Sequence, residues 1–188
     1  MNLGNYSTVR TGLVLSRKEA QQDNGHYIYR ALSLRNVTED GQILLAEIED
    51  YSAIEPLKGE YFTHNSDVLI RLSTPYTAIL ISEKEANLLV PSHFAIIRVN
   101  EMVDPHYLHW WLGKNKKWLY KNASGGTIMG TISSGYISEM IFKPPPMEKQ
   151  RRIRELLELS NREQHLFSLL GTKKKHLINA ILKKLNNE

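Results

Sequence analysis

The stretch that decides the architecture runs Ser124-Gly-Gly-Thr-Ile-Met-Gly-Thr-Ile-Ser-Ser-Gly135, Tyr136–Phe142, then Lys143-Pro-Pro-Pro146-Met-Glu-Lys-Gln150-Arg-Arg-Ile153. A Gly/Ser/Thr loop leads into a short apolar run, and three prolines stop it. Proline cannot continue a strand or a helix interior, yet it suits the first turn of a helix. Pro144–Pro146 therefore mark a hard boundary, with Tyr136–Phe142 before it expected as a strand. Beyond it, helical periodicity continues to the end of the sequence. A helix of about 40 residues spans roughly 60 Å, about twice the width of a small domain. Its apolar stripe is too long to be buried on so small a body, so the helix needs a partner. The expectation is an α+β head, residues 1–143, with many short strands, and one long C-terminal coiled-coil helix, residues 144–188.

Within that helix Ile153, Leu156, Leu157, Phe167, Leu170, Leu177, Ile178, Ile181 and Leu185 recur at three- and four-residue spacing, the pattern of a dimerisation seam. With Ile153 as an a position, the a set is Ile153, Ser160, Phe167, Lys174 and Ile181. The d set is Leu156, Glu163, Leu170, Leu177 and Lys184. The polar members suit a short seam whose register matters more than an ideal zipper. Gly171 costs about 1 kcal/mol against alanine in a helix interior. The two readings are one bent helix and two helices broken at Gly171-Thr172.

Composition sets the outer limits. At 188 residues with 41% hydrophobic content, one domain plus an extension is the natural count. No apolar stretch approaches the ~18 residues of a membrane span, and Met1–Ala20 does not read as a signal peptide. A cytoplasmic location is expected. The chain has no cysteine, which excludes disulfides, thiolate metal sites and cysteine nucleophiles. The net charge of +4 divides unevenly. From Pro146 onward ten Lys/Arg face five Asp/Glu, so the head is close to neutral. Inside the head, Glu39–Asp67 holds eight acidic residues and one lysine, between two net-basic segments. That arrangement permits a DNA face on one side and a different surface on the other.

In the head, Tyr27–Val37 alternates apolar and polar residues as a half-buried strand does. The Thr38-Glu-Asp-Gly41 turn then leads to an expected partner strand, Gln42–Ile48. Val68–Leu72, Thr77–Ile81, Leu88–Val90 and His93–Val99 read as further strands. Asp104-Pro105 is a helix start, with Asp as N-cap and Pro in the first turn. Leu108, Trp111, Leu112 and Leu119 form that helix's buried face and Lys114, Lys116, Lys117 and Lys121 its far side, with a stop at Asn122–Gly126.

No catalytic motif is visible. Gly125 and Gly130 have the glycine spacing of a phosphate-binding loop, but Thr131-Ile132 stand where Lys is required. The proline run lacks the Asn/Asp-Pro-Pro-aromatic pattern of amino-methyltransferases. There is no Gly-x-Ser-x-Gly elbow. His106-x-x-His109 has neither a third histidine nor carboxylates at ligand spacing. No catalytic residue, cofactor or metal is expected. The candidates for DNA contact are loop and helix residues that combine donors, an aromatic face and close backbone approach. They are Arg71, Thr74, Tyr76, His93, Lys117, Lys121, Ser124, Gly126, Thr127 and Thr131.

Taken in order, five elements carry a resemblance: Gly12-Leu-Val-Leu-Ser-Arg17; Tyr29–Val37 before Asp40-Gly41; Asn65–Ile70; Pro105-His-Tyr-Leu108; and Gly125-Gly-Thr127…Ile132…Ile141…Pro145-Pro-x-x-x-Gln150-x-x-Ile153. Together they resemble the specificity subunit of type I restriction–modification enzymes, with the last run the most distinctive. The resemblance implies a non-catalytic DNA-recognition protein whose head reads one half of a split target in double-stranded DNA. It also implies helices that pair antiparallel as a ruler, on which methyltransferase subunits dock, with a restriction subunit as a further partner in a restriction complex. Such subunits hold two recognition domains and two helices. This chain has one of each, implying a half-subunit that forms a homodimer or pairs with another half. The rival reading is a truncated remnant that serves as a coiled-coil scaffold and no longer reads DNA.

Overall fold

Val68-Leu-Ile and Phe94-Ala-Ile-Ile97 are unbroken apolar runs, as expected of strands covered on both faces. The computed structural model describes residues 1–20, 27–122 and 130–186, and places both runs at the centre of a four-stranded sheet. The strands are β1 (Ser7–Thr11), β2 (Tyr27–Ala31), β3 (Glu49–Ala53), β4 (Val68–Arg71), β5 (Ala78–Leu80) and β6 (Phe94–Val99). The helices are α1 (Pro105–Lys114), α2 (Lys116–Asn122), α3 (Ser134–Glu139) and α4 (Met147–Asn186). The main sheet has the order β1-β6-β4-β5, antiparallel throughout, and β2 and β3 pair separately. The class is α+β.

In the central register Leu69 lies opposite Ile79 on one side and Ile96 on the other. These three share a core cluster with Leu32, Val37, Ile43, Leu88, Val90 and Phe94. On the other face Val68, Ile70, Ala95 and Ile97 are equally buried. α1 packs on β4 and β5, and α3 on β1. Asp67, just ahead of β4, is 3% exposed and binds the Arg98 guanidinium at 3.0 Å. Arg98, half-buried, also donates to the Phe62 carbonyl at 2.7 Å, and Asp67 also accepts from the His64 amide at 2.8 Å, so both partners of the pair are hydrogen-bonded beyond it.

The helix starts and stops follow side-chain chemistry. Asp104 caps α1, its carboxylate accepting from the His106 and Tyr107 amides. The expected single lysine-bearing helix is instead two, separated at Asn115, whose amide side chain bonds the Trp111 carbonyl at 2.8 Å. α4 is continuous through Gly171, where Thr172 back-bonds to the Ser168 carbonyl at 3.1 Å. The chain divides into two compact units, Met1–Met147 and Glu148–Glu188.

Four expected strands differ. Tyr27–Val37 is extended only to Ala31, because the Asn36 side chain then accepts from the Ser33 amide and closes a turn over Ser33–Asn36. Tyr136–Phe142 is not a strand: Ser133 caps a helical turn by accepting from the Tyr136 amide, and α3 buries Ile137. Only its end is extended, where the Phe142 amide bonds the Met1 carbonyl at 3.1 Å. Gln42–Ile48 is not the partner of the Tyr27 strand. The Thr38–Gly41 turn does close, with Gly41 at φ 86° and one bridge between Val37 and Ile43, but Leu45–Glu47 then coils into a 3-10 turn. The partner is the acidic segment Glu49–Ala53, which turns only Tyr51 and Ala53 inward. Leu88–Val90 makes isolated bridges rather than a full strand.

Candidate nucleic-acid interface

The turn between β4 and β5 is built by backbone bonds. The Arg71 amide bonds the Thr77 carbonyl at 2.9 Å, and the Tyr76 amide bonds the Ser73 carbonyl at 2.9 Å. Thr74-Pro75 is a cis peptide, and Tyr76 sits at φ 52°, in the left-handed region. That conformation directs the Tyr76 ring inward, where it is 1% exposed. Its hydroxyl donates to the Gly130 carbonyl at 2.6 Å, and its ring meets Tyr120 of α2 edge-on at 4.9 Å.

Two more segments join the turn. Ser73 pairs with Thr131, and the Ile132 amide bonds the Leu72 carbonyl at 2.9 Å. The Leu72 amide bonds the His93 carbonyl at 2.9 Å. Residues 71–77, 93 and 130–132 therefore meet at one end of the main sheet, with α2 beside them through Tyr120. Thr11, at the same end of the neighbouring β1, donates to the Ser134 hydroxyl at 2.9 Å.

Of the sequence candidates, the structure gathers Arg71, Thr74, His93 and Thr131 at this sheet end. Lys117 and Lys121 stand exposed on α2, anchored by the buried Leu119. Arg71 is half-buried, its Nε donating to the Ser73 hydroxyl at 3.2 Å. His93 and Thr131 are exposed. Tyr76 is the exception: its ring, expected to offer an aromatic face, is enclosed by Tyr120 and cannot stack on a base as placed. It organises the surface instead. Ser124, Gly126 and Thr127 lie outside the described residues.

Sequence reasoning missed a cleft of about 590 Å³ that continues from His93. Ser33, Arg35, Glu47, Glu49 and Ser92 line it above an apolar floor that includes Leu32 and Pro91. The Leu34-Arg-Asn-Val37 run reads in sequence as the end of a strand, and nothing local to it signals the turn or what faces it. Among the described residues no group of three or more His, Asp or Glu is placed to hold a metal. His109 is committed elsewhere: its Nε2 lies 3.2 Å from the Ala78 carbonyl. Burial lowers its pKa from the usual histidine value, against the carbonyl contact, and His106 and Lys116 lower it further. No helix among the described residues is long and apolar enough to cross a membrane.

No protein-family model and no curated protein matches this sequence. Solved structures do. One, from work on complex assembly and conformational transition of the type I R-M system, superposes with a TM-score of 0.62 at 17% identity. It covers 87% of this chain and 38% of its own. The HsdS subunit from Thermoanaerobacter tengcongensis gives 0.59 at 18% identity, over 87% of this chain and 37% of that one. The type I S subunit from M. genitalium gives 0.56 at 13% identity, over 93% and 42%. The chain has the fold of these S subunits. It spans about two fifths of their length.

Proposed function

We propose that this chain is a non-catalytic DNA sequence-recognition subunit of a type I methyltransferase or restriction complex. The observation that carries the reading is the fold shared with S subunits over 87–93% of the chain. Met1–Met147 is the DNA-reading unit, and the sheet end bearing Arg71, Thr74, His93 and Thr131, with Lys117 and Lys121, is its contact surface. Tyr76 shapes that surface from beneath. The catalytic chemistry belongs to partner methyltransferase and nuclease subunits, and the assembly works in the cytoplasm.

α4 is the dimerisation and docking element. Leu156, Phe167, Leu170, Leu177, Ile178, Ile181 and Leu185 are between 49% and 68% exposed, and Ile153 and Leu157 are half-buried. So many large apolar side chains on a single helix favour a covering partner. An antiparallel pair of copies covers both stripes and sets two heads about a dyad. Two identical heads then read inverted copies of one short sequence, an interrupted palindrome.

The test is methylation sequencing of DNA exposed to the full chain with its cognate methyltransferase subunit, together with light scattering of the chain alone. A dimer and a methylated interrupted palindrome are expected. Two unrelated half-sites with only this half-subunit present would overturn the homodimer. A stable complex that methylates no defined motif would favour a scaffold.

A further inference from the structure

The cleft beside His93 has a charge pattern that the sheet-end surface lacks. Arg35 projects from the Ser33–Asn36 turn, and that turn is locked. The Asn36 side chain is 4% exposed, its Oδ1 accepting from the Ser33 amide at 2.9 Å and the Ser33 hydroxyl at 2.7 Å. Its Nδ2 donates to the Glu47 carbonyl at 2.8 Å, tying the backbone that carries Arg35 to the backbone that carries Glu47. Both side chains are exposed and both line the cleft. Yet among the described residues neither the Arg35 guanidinium nor the Glu47 carboxylate has a hydrogen-bond or ion-pair partner. Opposite charges are held in one cleft, on linked backbones, without neutralising one another.

We infer that this cleft reads one G·C base pair, the Arg35 guanidinium donating to the guanine edge and Glu47 accepting from the cytosine amine. The inference rests on the proposed DNA-recognition role. The chemistry matches group by group. In the major groove guanine offers the N7 and O6 acceptors that a guanidinium fork meets with two bonds, and cytosine offers an N4 amine that a carboxylate accepts. A phosphate seat fits less well, because Glu47 and Glu49 would repel it from the space Arg35 enters. Rigidity matters too, since a locked turn orders the long arginine at lower entropic cost than a mobile loop. The cleft also adjoins the proposed contact surface through His93, so one duplex can reach both.

The test uses the full chain assembled with its cognate methyltransferase subunit. Methylation sequencing defines the motif, and competition binding compares duplexes altered at each motif position. Arg35→Ala should relax the requirement at one G·C position, lowering discrimination there about 5- to 150-fold, the equivalent of about 1–3 kcal/mol. Glu47→Ala should relax the same position. Arg35→Lys keeps the charge without the fork, so it should retain overall affinity and lose part of the discrimination, less than Arg35→Ala does. If Arg35→Ala weakens all duplexes equally, flattens the salt dependence by about one phosphate contact and leaves the motif intact, Arg35 touches backbone and the inference fails. It also fails if the motif and the affinities do not change. Lack of any motif for the unaltered chain overturns the recognition role itself and this inference with it.

Discussion

The Tyr76 hydroxyl donates to the Gly130 carbonyl at 2.6 Å, joining the β4–β5 turn to a segment 54 positions later in the chain. With the edge-on contact to Tyr120, this one buried side chain holds together the turn, the Thr131 segment and the lysine-bearing α2. Removing the hydroxyl leaves a carbonyl without its donor in a buried setting. Tyr76→Phe should therefore destabilise the head by about 1–2 kcal/mol. Tyr76→Ala, which also leaves a cavity, should cost about 3–5 kcal/mol. Urea unfolding followed by tryptophan fluorescence measures both. If the phenylalanine variant unfolds at the unaltered midpoint, the hydroxyl bond does not hold the surface.

Lys117 and Lys121 stand on that braced helix, exposed and without a carboxylate partner among the described residues. A lysine against DNA acts as a point charge on phosphate and carries no sequence information. Lys117→Ala and Lys121→Ala should each weaken binding to all duplexes about equally. Each should also flatten the slope of log affinity against log salt by about one phosphate contact. Binding isotherms of the reconstituted complex across a salt series provide the check. Unchanged affinity and slope in both variants would mean that α2 faces away from the duplex.

The proline boundary and the long helix were legible because their causes are local. Pro144–Pro146 bar continuation, and α4 begins at Met147. Asp104-Pro105 likewise announced α1 through a cap that needs only neighbouring residues. The failures share the opposite character. Tyr136–Phe142 has an apolar content that fits a strand or a helix, and the Ser133 cap with burial of Ile137 decides for the helix. Glu49–Ala53 lies in the acidic Glu39–Asp67 stretch beyond the strand expected at Gln42–Ile48, and becomes a strand because the extended Tyr27–Ala31 segment needs a partner. The sheet-end surface joins segments some 60 positions apart, so sequence could supply its members but not their convergence. Tyr76 is a candidate by virtue of its ring, and its positive φ turns that ring inward.

His109 gives a pH signature. Its pKa lies below the usual histidine value, chiefly because it is buried; the Ala78 carbonyl contact pulls the other way, and His106 and Lys116 oppose its protonation further. The folded state therefore binds fewer protons at this site than the unfolded chain does. Stability from this group is full above the unfolded pKa of about 6.5. It is lost as pH falls from there towards the lowered folded value, where the loss levels off. His109→Gln should be less stable than the unaltered chain at pH 7.5 and should lose less on moving to pH 5.5. Thermal melts at the two pH values, read as a difference of differences, isolate this site from the carboxylates. An equal loss in both proteins would show that His109 does not titrate in this window.

The last prediction separates distance from identity. On the proposed antiparallel pairing, the gap between the two half-sites is a mechanical property of α4, whereas the bases within each half-site belong to Met1–Met147. Inserting four residues after Gln164 lengthens each helix by about 6 Å, comparable to about two base pairs at ~3.4 Å each. Four residues are not a whole number of heptads, so the insert also rotates the seam beyond it, and the dimer should weaken. Gln164 lies between Leu156 and Phe167, so apolar seam residues remain on both sides to hold the pair. Methylation sequencing of the inserted variant should return the same half-site bases with a changed unread spacer. The same motif with the same spacer would show that α4 is not the ruler, and altered half-site bases would show that readout is not confined to the head.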